Sequence, residues 1–258
     1  MDGNAPLPPS ICPTGLYQPP PSLTFAGKPR PFRRNDASWL SRRLRVGFLA
    51  LAAIACVASL VLAQMGATMI AIDKMTIGGF PADFEFARTG QGGSARWLVV
   101  ADTTATSGRA IEQMSNDPTD YRFPLAIYQG ATVKNADVTV RFKAVSGRVD
   151  QAAGIAIRLL DPDNYYVVRA NALEDNVRFY RMLKGRREQL AGVNIKVPTN
   201  EWHTLGLRTE GEQFTVMFNG KTLYSATDQT FFDAGKIALW TKADSVTRFD
   251  QIEIRALP

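Results

Sequence analysis

The chain has 258 residues, 30 basic and 24 acidic side chains, one histidine and two cysteines. One histidine, with cysteines only at positions 12 and 56, excludes a zinc site of the usual ligand set and any disulfide beyond residue 56. Seven basic and two acidic groups fall in the first 72 residues, so the net charge of +6 is mostly a topology signal. It is not the basic face of a nucleic-acid binder, and no nucleic-acid partner is expected.

Residues 1–45 come first. Nine of the first 31 positions are proline, a composition that favours extended polyproline conformation and buries little. A disordered cytoplasmic tail is expected there. Next, 46–72 (VGFLALAAIACVASLVLAQMGATMIAI) carries no charge, and crossing a hydrocarbon core takes about 20 apolar residues. Arg33, Arg34, Arg42, Arg43 and Arg45 crowd its front edge, and only Asp73 and Lys74 stand directly behind. Positive charge stays cytoplasmic, so the expectation is one transmembrane signal anchor in the inner membrane, with the C-terminal part periplasmic. Cleavage at the small-residue pair Val61-x-Ala63 is the alternative and would leave the protein secreted.

A short connector over 73–83 follows, and from residue 84 the pattern has period two. In 136–144, Ala136, Val138, Val140, Phe142 and Ala144 alternate with Asp137, Thr139, Arg141 and Lys143, the mark of a half-buried antiparallel strand. Further strands are predicted at 84–88, 96–101, 110–114, 125–128, 154–160, 165–171, 176–183, 188–193, 202–209, 213–218, 222–227, 236–241 and 249–256. Asn219-Gly220 is a hairpin signal, because both residues tolerate positive φ. Asp161-Pro162-Asp163-Asn164 and Lys184-Gly185 are turns. Phe249 is out of step with Ile252 and Ile254, which predicts a bulge. Short strands without helices argue for an all-β fold of two packed antiparallel sheets over 84–258.

Within 154–257 several pieces occur in a familiar order. Gly154-Ile155 with Arg158, Asn164-Tyr165-Tyr166, Glu201-Trp202, Asn219-Gly220, Gly235-Lys236-Ile237 with Trp240, and Phe249-Asp250-x-Ile252 follow one another. This stretch resembles the concanavalin A-like lectin/glucanase superfamily, and within it the 3-keto-disaccharide hydrolase family, beside laminarinase-type and laminin G-like domains. The resemblance implies a jelly-roll sandwich whose concave sheet meets saccharides outside the cytoplasm. Laminarinase-type enzymes carry a Glu-x-Asp-x-Glu run, because retaining hydrolysis needs two nearby carboxylates. Asp83-Phe84-Glu85 and Asp250-Gln251-Ile252-Glu253 do not complete it, so an enzyme of that type is not expected.

The middle strands carry Arg158, Arg169, Arg178 and Arg181. With Tyr165 on the parity of Arg169, and Trp240 on the parity opposite Ile237 and Leu239, they are expected to frame a groove for a saccharide. The competing reading pairs these arginines across strands with Glu174 or Asp175. Trp97 and Trp202 are expected in the core. His203 lacks an evident carboxylate partner, which weakens a general-base role. Asp161 and Asp163 are weak calcium candidates beside their ordinary turn role, and no other cofactor is implied. The expected function is a membrane-anchored extracytoplasmic carbohydrate-binding domain, with hydrolysis of modified (3-keto) glycosides implied by the resemblance. The alternatives are a non-catalytic adhesion or scaffold module contacting an envelope protein, and a purely structural sandwich.

Overall fold

The computed structural model describes residues 66–258; the proline-rich tail and residues 46–65 of the expected anchor lie outside the described residues. In chain order the strands are β1 (Ala67–Met69), β2 (Phe84–Gly90), β3 (Trp97–Ala101), β4 (Arg109–Gln113) and β5 (Arg122–Val133). Then come β6 (Ala136–Ser146), β7 (Ala152–Asp161), β8 (Asn164–Asn171), β9 (Asn176–Leu183) and β10 (Arg186–Asn194). The last are β11 (Trp202–Glu210), β12 (Gln213–Phe218), β13 (Lys221–Thr227), β14 (Gly235–Trp240) and β15 (Val246–Ala256). Every pairing is antiparallel. Sheet I runs β13-β12-β11-β6-β15-β4-β3, with β1 added beside β15. Sheet II runs β10-β9-β8-β7-β14-β5-β2. Among the described residues the only helix is a single 3-10 turn, Ile72–Lys74.

The period-two pattern builds the core between the sheets. Val138, Val140 and Phe142 of β6 are fully buried, as are Ile155 and Ile157 of β7, Val168 of β8 and Phe179 of β9. Burial of such side chains contributes about 1.5–3 kcal/mol each before the entropy of ordering is set against it. Tyr166 anchors one end of this layer, with Phe214 at 4.5 Å and Phe231 at 5.1 Å between ring centroids. The expected hairpin at Asn219-Gly220 forms with φ of +48° and +75°. The expected bulge in β15 falls at Gln251, which takes φ +45° while the register against β6 slips between Asp250 and Glu253.

The start of the sandwich differs from expectation. Ala67, Thr68 and Met69 pair with Arg255, Ile254 and Glu253, and Ile70, Ile72 and Met75 are buried in the core. Residues 67–72, expected to finish the membrane helix, therefore belong to the sandwich, as does part of the expected 73–83 connector. Hydropathy alone does not separate an apolar strand from a helix end; the pairing of 67–69 with β15 and the burial of Ile70 and Ile72 just after it set the outcome. No helix among the described residues is long and apolar enough to cross a membrane.

Candidate functional site

Sheet II buries apolar side chains on both faces. Its inner face meets sheet I, while its outer face carries a second buried cluster that includes Phe123, Leu125, Tyr165, Val167, Tyr180 and Trp240. Register places outer-face residues in rows across the strands. One row runs Trp240, Gly154, Arg169, Arg178, Gly192 over β14, β7, β8, β9 and β10. The two glycines make room for the large side chains of the row. A Cβ on Gly154 would stand 3.1 Å from Trp240 Cε3 and 2.8 Å from the Val168 carbonyl oxygen. A Cβ on Gly192 would stand 2.3 Å from Arg178 Cδ. A second row sets Tyr165, Met182 and Arg187 side by side.

The polar part of this face surrounds Tyr180. Arg169, only 3 % exposed, donates to Asn176 Oδ1 at 3.1 Å, Glu174 Oε2 at 2.7 Å and the Tyr180 hydroxyl at 3.1 Å. Arg187 lies over two rings, its guanidinium carbon 4.6 Å from the Tyr180 centroid and 4.9 Å from that of Phe123. Lys242 bridges Asp120 at 2.5 Å and Asp150 at 2.9 Å, and Asp150 also accepts from Asn171 at 2.5 Å. Arg178 donates to Asn194 and has no ion-pair partner among the described residues.

Burial sets the electrostatics here. It opposes the charge on Arg169, but Tyr180, Glu174 and Asp150 outweigh it and raise the arginine's pKa. Burial likewise opposes Lys242, which Asp120 and Asp150 nevertheless hold above the usual lysine value. Burial pushes the Asp150 carboxyl above the ordinary range in spite of Lys242. Glu174 lies below the ordinary range because Asn176 and Arg169 overcome its burial.

The sequence-predicted residues divide. Arg169, Arg178, Tyr165 and Trp240 share this outer face. Tyr165 and Trp240, however, are 0 % exposed: the indole N–H of Trp240 donates to the Tyr165 hydroxyl at 3.1 Å, and Trp240 stacks on Phe123. They support the face from beneath. Arg158 is elsewhere, which corrects the expected groove. It takes φ +49° where the β7–β8 register slips, and this bulge turns its side chain inward between the sheets. There it donates to the carbonyls of Lys134, Phe231 and Gly211 and to Thr209 Oγ1. Arg181 points away from the outer face as well, onto Asp228 and Glu188.

The expected pairing of Glu174 with an arginine is present, at Arg169. His203 is a packed residue, stacked on Phe218, its Nε2–H donating to the Pro198 carbonyl while Nδ1 accepts from Asn219. Trp97 is in the core, but Trp202 is not: it lies partly exposed on the outer face of sheet I beneath Arg141 and Lys143. Asp161 Oδ1 accepts from the Asp163 amide at 2.8 Å and from Asn164 at 2.9 Å, the ordinary turn pattern. No cluster of three or more His, Cys, Asp or Glu side chains suited to a metal occurs among the described residues.

Sequence reasoning missed Tyr180, Arg187, Lys242 and Asp150. Tyr180 shares the parity of Arg178, a signal available in the sequence. Arg187 was hidden in the KGRR stretch, which reads as a solvated hairpin tip.

Two antiparallel sheets packed on each other, one with arginines over an aromatic bed on its outer face, define a two-sheet β-sandwich. In sequence, residues 130–257, just under half of the chain, match the family described as galactocerebrosidase, C-terminal lectin domain. No curated protein matches the chain. Among solved structures it is similar to the carbohydrate-binding module CBM66 from Bacillus subtilis, with 18 % identity over 66 % of this chain and 95 % of that one, at a TM-score of 0.53. It is also similar to the Bacillus licheniformis β-glucanase, with 12 % identity over 75 % and 99 % of the two chains and a TM-score of 0.50. A Bacteroides ovatus GH16 protein of a mixed-linkage glucan locus gives 10 % identity, 69 % and 97 % coverage and a TM-score of 0.51. At these identities the likeness is one of fold.

Proposed function

We propose that this protein is a saccharide-binding, lectin-like module whose site is the outer face of sheet II around Arg169, Arg178, Tyr180 and Arg187. The observation that carries the reading is the mixture on that face. The half-buried guanidinium forks of Arg178 and Arg187, suited to hydroxyls and acid groups, stand over a bed of buried aromatic rings. The sequence match to a lectin domain and the fold shared with a carbohydrate-binding module support it. In this reading residues 46–65, about the 20 needed to span a bilayer, anchor the protein, and the arginines before them keep the tail cytoplasmic and the domain outside.

Binding is favoured over hydrolysis because the carboxylates on this face are occupied: Glu174 by Arg169, and Asp120 and Asp150 by Lys242. One observation favours a second reading, hydrolysis of a modified (3-keto) glycoside. Asp120 and Asp150 converge on a single ammonium, and glycoside hydrolysis uses two facing carboxylates. A glycan array probed with the full-length protein in detergent separates the readings. Saturable binding without turnover, lost in Tyr180→Ala, supports the module. Release of sugar that disappears in Asp150→Asn supports the hydrolase. A folded protein that retains no glycan removes both and leaves the adhesion or scaffold role.

A further inference from the structure

Two nitrogens on the outer face of sheet II are left without partners. Nε of Arg169 and Nη1 of Arg187 are buried and have no hydrogen-bond acceptor. Buried donors are almost always satisfied, and leaving one unmet is costly. Other buried arginines of this protein show the usual state. Arg122 places Nε, Nη1 and Nη2 on oxygens, and Arg158 does the same. Arg181 is also one nitrogen short and, like Arg169, is ion-paired, in its case to Asp228 and Glu188. Arg187 differs in having no side-chain hydrogen bond and no ion pair among the described residues, while its guanidinium packs over two aromatic rings. Arg169 and Arg187 both lie against the buried Tyr180 ring, which brings the two unmet donors to one part of the face. The face as a whole carries an excess of cation, because Arg178 too is unpaired among the described residues whereas every carboxylate in the group is matched.

From this juxtaposition we infer that the ligand is an anionic saccharide, its carboxylate or sulfate received at the half-buried Arg187 and Arg178 beside Arg169. The inference rests on the saccharide-binding reading and narrows it. A planar guanidinium fork suits either acid group, because both present paired oxygens. A neutral sugar would leave the excess charge without a counterion.

The test uses the full-length protein in detergent and four immobilised probes: polygalacturonate, heparin, neutral β-galactan and poly-glutamate. Binding to polygalacturonate or heparin at least tenfold tighter than to galactan is expected; retention of polygalacturonate shows that a carboxylate suffices, and retention of heparin alone shows that sulfate is required. Arg187→Gln is expected to cut that preference at least tenfold, and Arg187→Lys to restore part of it through charge without the fork. Because Arg187 packs on the Tyr180 and Phe123 rings, Arg187→Gln is expected to lower the melting temperature modestly, so binding is compared at a temperature where parent and both variants are folded. Galactan bound as tightly as the acidic glycans, or an acid preference untouched by Arg187→Gln, overturns the inference while leaving saccharide binding in place. Poly-glutamate bound as tightly as the acidic glycans also overturns it, because charge alone would then suffice. Failure of all three glycans to bind defeats the underlying reading as well.

Discussion

Trp240 gives its indole N–H to the hydroxyl of Tyr165, and neither ring reaches solvent. The Tyr165 hydroxyl lies 2.8 Å from Thr89 Oγ1, and Thr89 donates to the Pro162 carbonyl. Only one proton order satisfies this chain: Trp240 to Tyr165, Tyr165 to Thr89, Thr89 to the carbonyl. Three strands and a turn are thereby tied beneath the candidate site. Burial pushes the Tyr165 phenol above its ordinary pKa, so the hydroxyl keeps its proton.

Tyr165→Phe breaks this chain and strands the Trp240 donor in a dry setting. A loss of about 1–3 kcal/mol is expected, read from urea unfolding followed by tryptophan fluorescence. Glycan binding by the remaining folded protein should be little changed, because Tyr165 supports the face from below.

Arg158→Met separates a structural arginine from the recognition arginines. The variant removes a cation serving three carbonyls and the Thr209 hydroxyl, all at the end of the inter-sheet layer. Destabilisation of more than about 3 kcal/mol is expected from the orphaned acceptors. Binding measured well below the melting temperature should be unaltered; a specific loss of binding without a loss of stability would contradict the placement.

Gly154→Ala and Gly192→Ala test the two gaps in the central row. At Gly154 the new methyl meets a backbone carbonyl and the Trp240 ring, neither of which can swing aside. A cost of about 1–3 kcal/mol is expected, typical of overpacking. At Gly192 the closest obstacle is the Arg178 side chain, which can move, so the cost in thermal stability should be smaller while binding weakens.

Acid stability follows from Asp102 and Asp244. Burial raises both carboxyls, but Lys143, Thr104 and Arg248 hold Asp102 far below the ordinary range, and the amides of residues 148–150 hold Asp244 below it. A lowered folded pKa adds stability that is complete above the unfolded value, about 3.9, and disappears as pH falls through the folded one. Asp150 works the other way: its raised pKa favours folding in acid, and that share is lost as pH rises through the folded value. Melting temperature measured from about pH 2 to pH 7 should fall steeply below about pH 4, and Asp244→Asn should flatten that limb.

Much of this architecture is legible as a two-residue rhythm. The inward set of β6 and the slip in β15 follow from apolar parity alone, since a residue out of step must be absorbed by a bulge. Arg158 shows where parity fails. Counting from Gly154 puts it on the outer face, but the bulge at Arg158 itself reverses it, and no local residue announces that slip. The fate of 67–72 was hidden for a different reason. That strand is defined by β15, nearly two hundred residues later, and a long-range pairing leaves no mark in the local hydropathy. Arg187 is legible only once the β9–β10 register sets it beside Met182.

The pairing of β1 with β15 also brings the ends of the sandwich together. Ala67 sits opposite Arg255, across an antiparallel ladder whose facing Cα atoms are about 4.5–5.5 Å apart. Entry and exit therefore share one doorway. Such a body can be spliced into a surface loop of a host protein with short joints, or cut and reclosed to move its termini elsewhere, with little stretching of either backbone.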